Sequence, residues 1–153
     1  MLLEYKILNF PKFDFRVRKK ENWEIFDVIR KKFVVLTPEE WVRQHTIHFL
    51  ITNKKIPASL IAIEKQLILN KTKRRTDILV YDSNLRPLLI VECKAPEIEI
   101  SQAVVDQVQR YNLSLNVPAV FITNGCKHVF LKLTNNHLEV LAKFPEFEQL
   151  TNF

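Results

Sequence analysis

The stretch from Arg74 to Pro96, RRTDILVYDSNLRPLLIVECKAP, constrains this chain more than any other. Ile78, Leu79, Val80 and Tyr81 form one apolar run, and Leu88, Leu89, Ile90 and Val91 form a second. Asp82, Ser83, Asn84 and Pro87 between them are turn formers. Short apolar runs bounded by turn residues suit strands covered on both faces, so the spacing predicts a β-hairpin deep in a sheet. Polar residues stand at its open end: Asp77 begins one strand, and Glu92 and Lys94 close the other. Antiparallel pairing sets those ends side by side, while period-two alternation turns Cys93 to the opposite face. Two converging carboxylates beside an ammonium can hold a hard divalent cation next to a polarised water, the arrangement that phosphodiester hydrolysis needs. The plainer reading is that charged strand ends are solvated, and carboxylate-x-Lys also occurs at Glu4-Tyr5-Lys6. Position argues for the first, because Glu92 and Lys94 interrupt one of the most apolar segments of the chain.

Around the hairpin, Phe13, Phe15 and Val17 alternate with Asp14, Arg16 and Arg18, a strand pattern with a basic outer face. A turn at 19–22 leads to a second strand at 23–27, 27–33 is ambiguous, and residues 1–10 admit a strand or a helical turn. Thr37, Pro38 and Glu40 read as N-cap, first helical residue and capping box of a helix to Thr52, buried along Val42, Phe49 and Leu50 with Trp41 and Ile47. Glu40 is thus explained by capping alone, yet it can also aim a third carboxylate at the cation. Residues 61–69 read as one strand and 70–75 as a basic loop.

Ser101 caps a second helix to about 116, with Val104, Val108, Tyr111 and Leu115 as its buried stripe and Gln107 one turn before Tyr111. Strands follow at 119–123, 128–133 and 138–142, and the tail 145–153 reads as weakly ordered or packed on late. A helix between strands 87–93 and 119–123 makes those two parallel neighbours. The resulting class is α/β or α+β: one domain over residues 1–153, with a mixed central sheet flanked by helices.

The basic residues, 23 against 17 acidic for a net charge of +6, suit a polyanionic partner. Lys71, Lys73, Arg74 and Arg75 lie immediately before Asp77, where a backbone phosphate would approach the cation. The sole glycine, Gly125, excludes a glycine-rich phosphate loop and implies that few turns need positive φ. Cys93 and Cys126 are too isolated for a zinc or disulfide framework, which fits a cytoplasmic protein, and no apolar span suits a membrane. His45 and His48 share a helix at ligand spacing, but no carboxylate motif accompanies them.

Asp77, fourteen residues, then Glu92-Cys93-Lys94 resembles the D…(D/E)xK signature of the PD-(D/E)xK nuclease superfamily. With TPEEWVRQH at 37–45, RRTDILVYD at 74–82, LLIVECKAP at 88–96 and QVQRY at 107–111, the chain resembles one branch over about residues 23 to 140. That branch is the N-terminal nuclease domain of type I restriction enzyme R subunits. Thr76 stands where the superfamily name has Pro.

The resemblance implies a restriction-endonuclease-like core and a Mg²⁺-dependent DNA endonuclease, with Mn²⁺ as a substitute metal. Asp77, Glu92 and Glu40 would be the acidic ligands, joined by the Cys93 carbonyl, and Lys94 would activate the water. Gln107 and Tyr111 would support the site or position DNA, beside the phosphate contacts expected of Lys73, Arg74 and Arg75 from the basic cluster. Implied partners are DNA and the helicase or specificity subunits of a restriction system. The alternative is a non-cleaving nucleic-acid-binding or scaffold domain that keeps the same fold.

Overall fold

Eleven strands and three α-helices follow in chain order, in a computed structural model that describes residues 5–69 and 71–153. Strands β1 (Val17–Lys19), β2 (Trp23–Asp27) and β3 (Lys32–Val35) precede helix α1 (Pro38–Thr52). After a 3-10 turn at Ala58–Leu60 come β4 (Ile61–Ile63), β5 (Gln66–Leu69), β6 (Thr72–Arg75), β7 (Ile78–Tyr81) and β8 (Pro87–Cys93). Helix α2 (Gln102–Leu115) crosses to β9 (Ala119–Thr123), followed by β10 (His128–Thr134), β11 (His137–Leu141) and α3 (Phe147–Leu150).

The central sheet has six strands in the order β11-β10-β9-β8-β7-β4. All its pairings are antiparallel except β8 with β9, which are parallel, as the α2 crossover requires. β7 and β8 are near its middle, and Ile78, Leu79, Val80, Leu89 and Val91 are fully buried. Alternation divides their side chains between two cores. Leu89, Val91 and Cys93 join Val42, Ile47 and Leu50 of α1, while Ile90, Val120 and Ile122 join Val105, Val108 and Leu115 of α2. Val108 and Leu115 of the expected α2 stripe are buried, while Val105 and Asn112 take the buried places expected of Val104 and Tyr111, the latter 37% exposed.

Several expectations change. Residues 61–69 are two strands, because Glu64 has φ 52 and breaks the run. β4 stays in the central sheet, while β5 pairs with β6 in a separate hairpin. Most of the supposed basic loop at 70–75 is therefore a strand, and Asn70, like residues 1–4, lies outside the described residues. The 27–33 segment turns into β3, which completes a three-stranded sheet with β1 and β2. Of the two expectations for the tail, the packed one holds: α3 packs into the main core through Leu150, which is fully buried.

Positive φ is also common without glycine, at Lys31, Lys55, Glu64, Lys71, Leu85, Asn116, Asn135 and Asn136. Gly125 is needed for space as well as for its φ of +84, since a Cβ there would lie 2.7 Å from a Leu8 methyl. Beside it the Asn9 amide donates to the Gly125 carbonyl at 2.7 Å, fastening the N-terminal segment over the sheet.

Candidate active site

The carboxyl ends of the parallel strands β8 and β9 are where an open α/β sheet offers a crevice. Here that crevice is a cleft of about 290 Å³ lined by Asp77, Glu92 and Lys94, together with Glu39, Glu64, Arg43, Arg74 and Arg75. The hairpin register Ile78↔Val91 brings Asp77 and Glu92 together. Asp77 Oδ2 accepts from the Cys93 amide at 2.8 Å, so the backbone between Glu92 and Lys94 is tied to the opposite acid. The Lys94 amide donates to the Thr123 carbonyl at 2.8 Å, carrying the parallel ladder past the end of β8. Cys93 turns away, with Sγ 3.9 Å from Thr46 Oγ1, and burial pushes its thiol well above the usual range.

Each acid already has a cation. Arg74 Nη2 donates to Glu92 Oε1 at 3.0 Å while its guanidinium lies 4.2 Å from the centre of the Tyr111 ring. Arg43 Nη2 donates to Asp77 Oδ1 at 3.0 Å. Burial first, and the Asp77 charge second, raise the pKa of Glu92, with Arg74 and Lys94 pulling the other way. Glu39 is raised by the same two causes in the same order. For Arg43, burial opposes the charge, but Glu40 and Asp77 outweigh it and hold its pKa above the ordinary value.

Glu40 sits elsewhere than its capping motif suggests. The Glu40 amide does donate to Thr37 Oγ1, at 3.1 Å. Its carboxylate turns into a buried network instead of closing the box: Oε1 accepts from Arg30 at 2.7 Å and Gln44 at 2.9 Å, and Oε2 accepts from Arg43. Arg30 and Gln44 both reach on to Asp27, which is fully buried. Burial alone would raise the Asp27 pKa, but the Arg30 amide, Gln44 and the Arg30 guanidinium together lower it. Glu39, one residue earlier, is the α1 carboxylate that lines the cleft, and Arg43 joins it there from the next turn. Neither was among the expected site residues; their signal was the i,i+4 spacing of Glu39 and Arg43 in PEEWVR and the i,i+3 spacing that sets Arg43 on the face of Glu40.

The remaining candidates divide. Arg75 is largely exposed at the rim, with Nη2 3.3 Å from Glu64. Lys73 and Gln107 are exposed on β6 and α2. His45 and His48 belong to an aromatic cluster: the His45 ring packs 4.7 Å from Phe15 and 4.3 Å from Trp41, and His48 packs 4.8 Å from Phe15. A more apolar pocket of about 230 Å³, lined by Phe10, Phe49, Phe121, Phe130, Phe144 and His128, lies elsewhere. Both of its imidazole nitrogens are engaged, by Thr123 and by the Asn9 carbonyl, so it lacks the charge convergence of the cleft.

Among the described residues, no three His, Cys, Asp or Glu side chains are gathered closely enough to hold a metal. The cleft offers a pair, Asp77 and Glu92, and its side-chain donors are oxygens because the only nearby thiol faces the core. That set fits a hard cation that keeps several of its waters, as Mg²⁺ does, and fits poorly with zinc. No described helix is long and apolar enough to cross a membrane.

The family described as type I restriction enzyme R protein N terminus matches residues 38–145, which include α1, both strands of the central hairpin and α2. Comparison with curated proteins gives no match, and comparison with solved structures gives none.

Proposed function

The chain belongs to the type I restriction enzyme R protein N-terminus family, and from that membership we propose that it is a Mg²⁺-dependent DNA endonuclease domain. The observation that carries this reading is the meeting of Asp77, Glu92 and Lys94 in one cleft rimmed by arginines. Asp77 and Glu92 would hold the cation. When bound, it would supply a polarised water and neutralise charge on the phosphate. Lys94, fixed through its backbone to β9, places an ammonium where it can orient that water and donate to an oxygen gaining charge. Arg75 and Lys73 at the rim would bind flanking phosphates. Glu40 acts one step back, holding Arg43 against Asp77. DNA and the other subunits of a restriction system are the partners this reading implies.

The test is nicking of supercoiled plasmid with Mg²⁺, Mn²⁺ or EDTA. Wild type should nick only with metal, and Lys94→Ala should lower the rate by about 10²- to 10³-fold, the usual loss for one transition-state donor. Equal nicking by the two proteins would sink the assignment of Lys94. A second reading, a domain that binds without cutting, has its own support: Arg43 and Arg74 already neutralise both acids. Salt-sensitive DNA binding with no nicking under any metal would favour it.

A further inference from the structure

Ahead of the family-matched residues 38–145 lies the three-stranded sheet β1-β2-β3, whose two faces are unlike. Ile25 and Asp27 of β2 are fully buried on the inner face. On the outer face Phe26 and Phe33 meet edge to face with centroids 5.3 Å apart. Two arginines lie over them: the Arg16 guanidinium is 4.5 Å from the Phe26 centroid and the Arg18 guanidinium 3.9 Å from that of Phe33. The Phe26 amide donates to the Arg16 carbonyl at 2.8 Å, so pairing continues one residue before β1. Arg16 and Arg18 are therefore i,i+2 on one face, about 6.8 Å apart at twice the rise of an antiparallel strand.

A guanidinium stacked on a ring is held by its flat side and keeps its N–H edge free to donate. The rings, capped in this way, are closed to base stacking, which needs bare aromatic faces. The surface is thus built for anions spaced along a strand. Lys19, Lys20, Lys31 and Lys32 are exposed around it. Glu24 is an acid set against it, accepting from Arg18 Nε. The same sheet reaches the cleft: Arg30, in the β2–β3 turn, lies 3.4 Å from Glu64, which lines the cleft wall.

We propose that this arginine–phenylalanine ladder is a second DNA-contact surface, gripping neighbouring phosphates of a strand outside the cleft. It does not depend on cleavage, since a domain that binds without cutting would use it equally.

The test is binding of a short fluorescein-labelled DNA duplex, read by anisotropy in EDTA across a salt series. R16Q/R18Q should weaken binding by about tenfold and lower the slope of log K against log salt by about 1.8, the loss of two phosphate contacts. The charge-matched control Lys55→Gln/Lys143→Gln should change the slope by much less. Glu24→Gln should tighten binding by releasing Arg18, and more than Glu21→Gln does. This second comparison carries the test if circular dichroism shows that R16Q/R18Q does not fold. The proposal is overturned if wild type binds no DNA at low salt, or if the ladder variants do no more than their controls. It is also overturned if an RNA duplex binds tighter with the same ladder dependence. Failure of nicking, with these binding results intact, would remove the nuclease reading and leave the ladder standing.

Discussion

Toward α1, Asp77 is held by a guanidinium that is itself buried; toward α2, Glu92 is held by one that is partly free. The Arg43 side chain is 6% exposed, and its partner Glu40 and, through Glu40, Gln44 and Asp27 are buried with it, while Glu39 and Glu64 reach it from the cleft side. The Arg74 side chain is 27% exposed and rests on Tyr111 at the edge of α2. Buried ionic groups are expensive to separate, because whichever partner remains has lost both water and its counter-charge. Arg74 can swing into water at less cost than Arg43, although Glu92, whose side chain is 7% exposed, then needs a replacement cation. The cleft therefore joins a fixed acid to an acid whose partner can leave. A bound cation would displace Arg74 more readily than Arg43.

Three measurements would break or sharpen that contrast. The largest effect should come from Arg43→Met, which removes the buried cation shared by Glu40 Oε2 and Asp77 Oδ1 and should cost about 3–5 kcal/mol in urea unfolding. A loss below about 1 kcal/mol would show that the α1 network is as loose as an exposed pair. Arg74→Met should cost about 1–3 kcal/mol, less than Arg43→Met because only one carboxylate loses its partner, while Mn²⁺ binding measured by calorimetry becomes several-fold tighter as the competing guanidinium is removed. Unchanged Mn²⁺ affinity would mean that Arg74 does not compete for Glu92.

The smallest effect is a pH dependence. The Glu92 pKa is raised on folding, so its contribution is fully present below the unfolded value and lost as pH rises through the folded one. Glu92→Gln imitates the protonated side chain. Its melting temperature should exceed that of wild type near neutrality, and the gap should close as pH falls toward the ordinary glutamate range. A gap that widens on acidification would reverse the sign and place Glu92 with the fixed acids.

Local signals account for what the sequence made legible. The Thr37 and Ser101 caps, the apolar runs of β7 and β8 and the crossover through α2 each specify themselves within a dozen or so residues, and the open end of the hairpin could be placed because pairing has only one geometry. The break at Glu64 was hidden because a left-handed residue without glycine leaves no compositional mark. Its cause is tertiary: the Glu64 amide donates to the Asp77 carbonyl and the Thr76 amide to the Lys65 carbonyl, which anchors the chain on both sides of the departing hairpin. The choice between Glu39 and Glu40 was equally opaque. Adjacent residues on a helix differ by about a hundred degrees in direction, and the position of α1 over the sheet decides which one faces the cleft. Arg43 escaped because a buried arginine is legible only once its carboxylates are seen around it.

The bond from the Cys93 amide to Asp77 has a consequence for how the molecule forms. Glu92 and Cys93 face opposite sides of β8, so sliding this hairpin by one residue would exchange them. The carboxylate would then be driven into the α1 core and the thiol brought out into the cleft, while Asp77 would lose its backbone donor. Such a misthreaded sheet would be too unstable to persist as a folded chain with half a centre. Correct threading and assembly of the acidic pair are thus a single event, and the core acts as the proofreader of the chemistry.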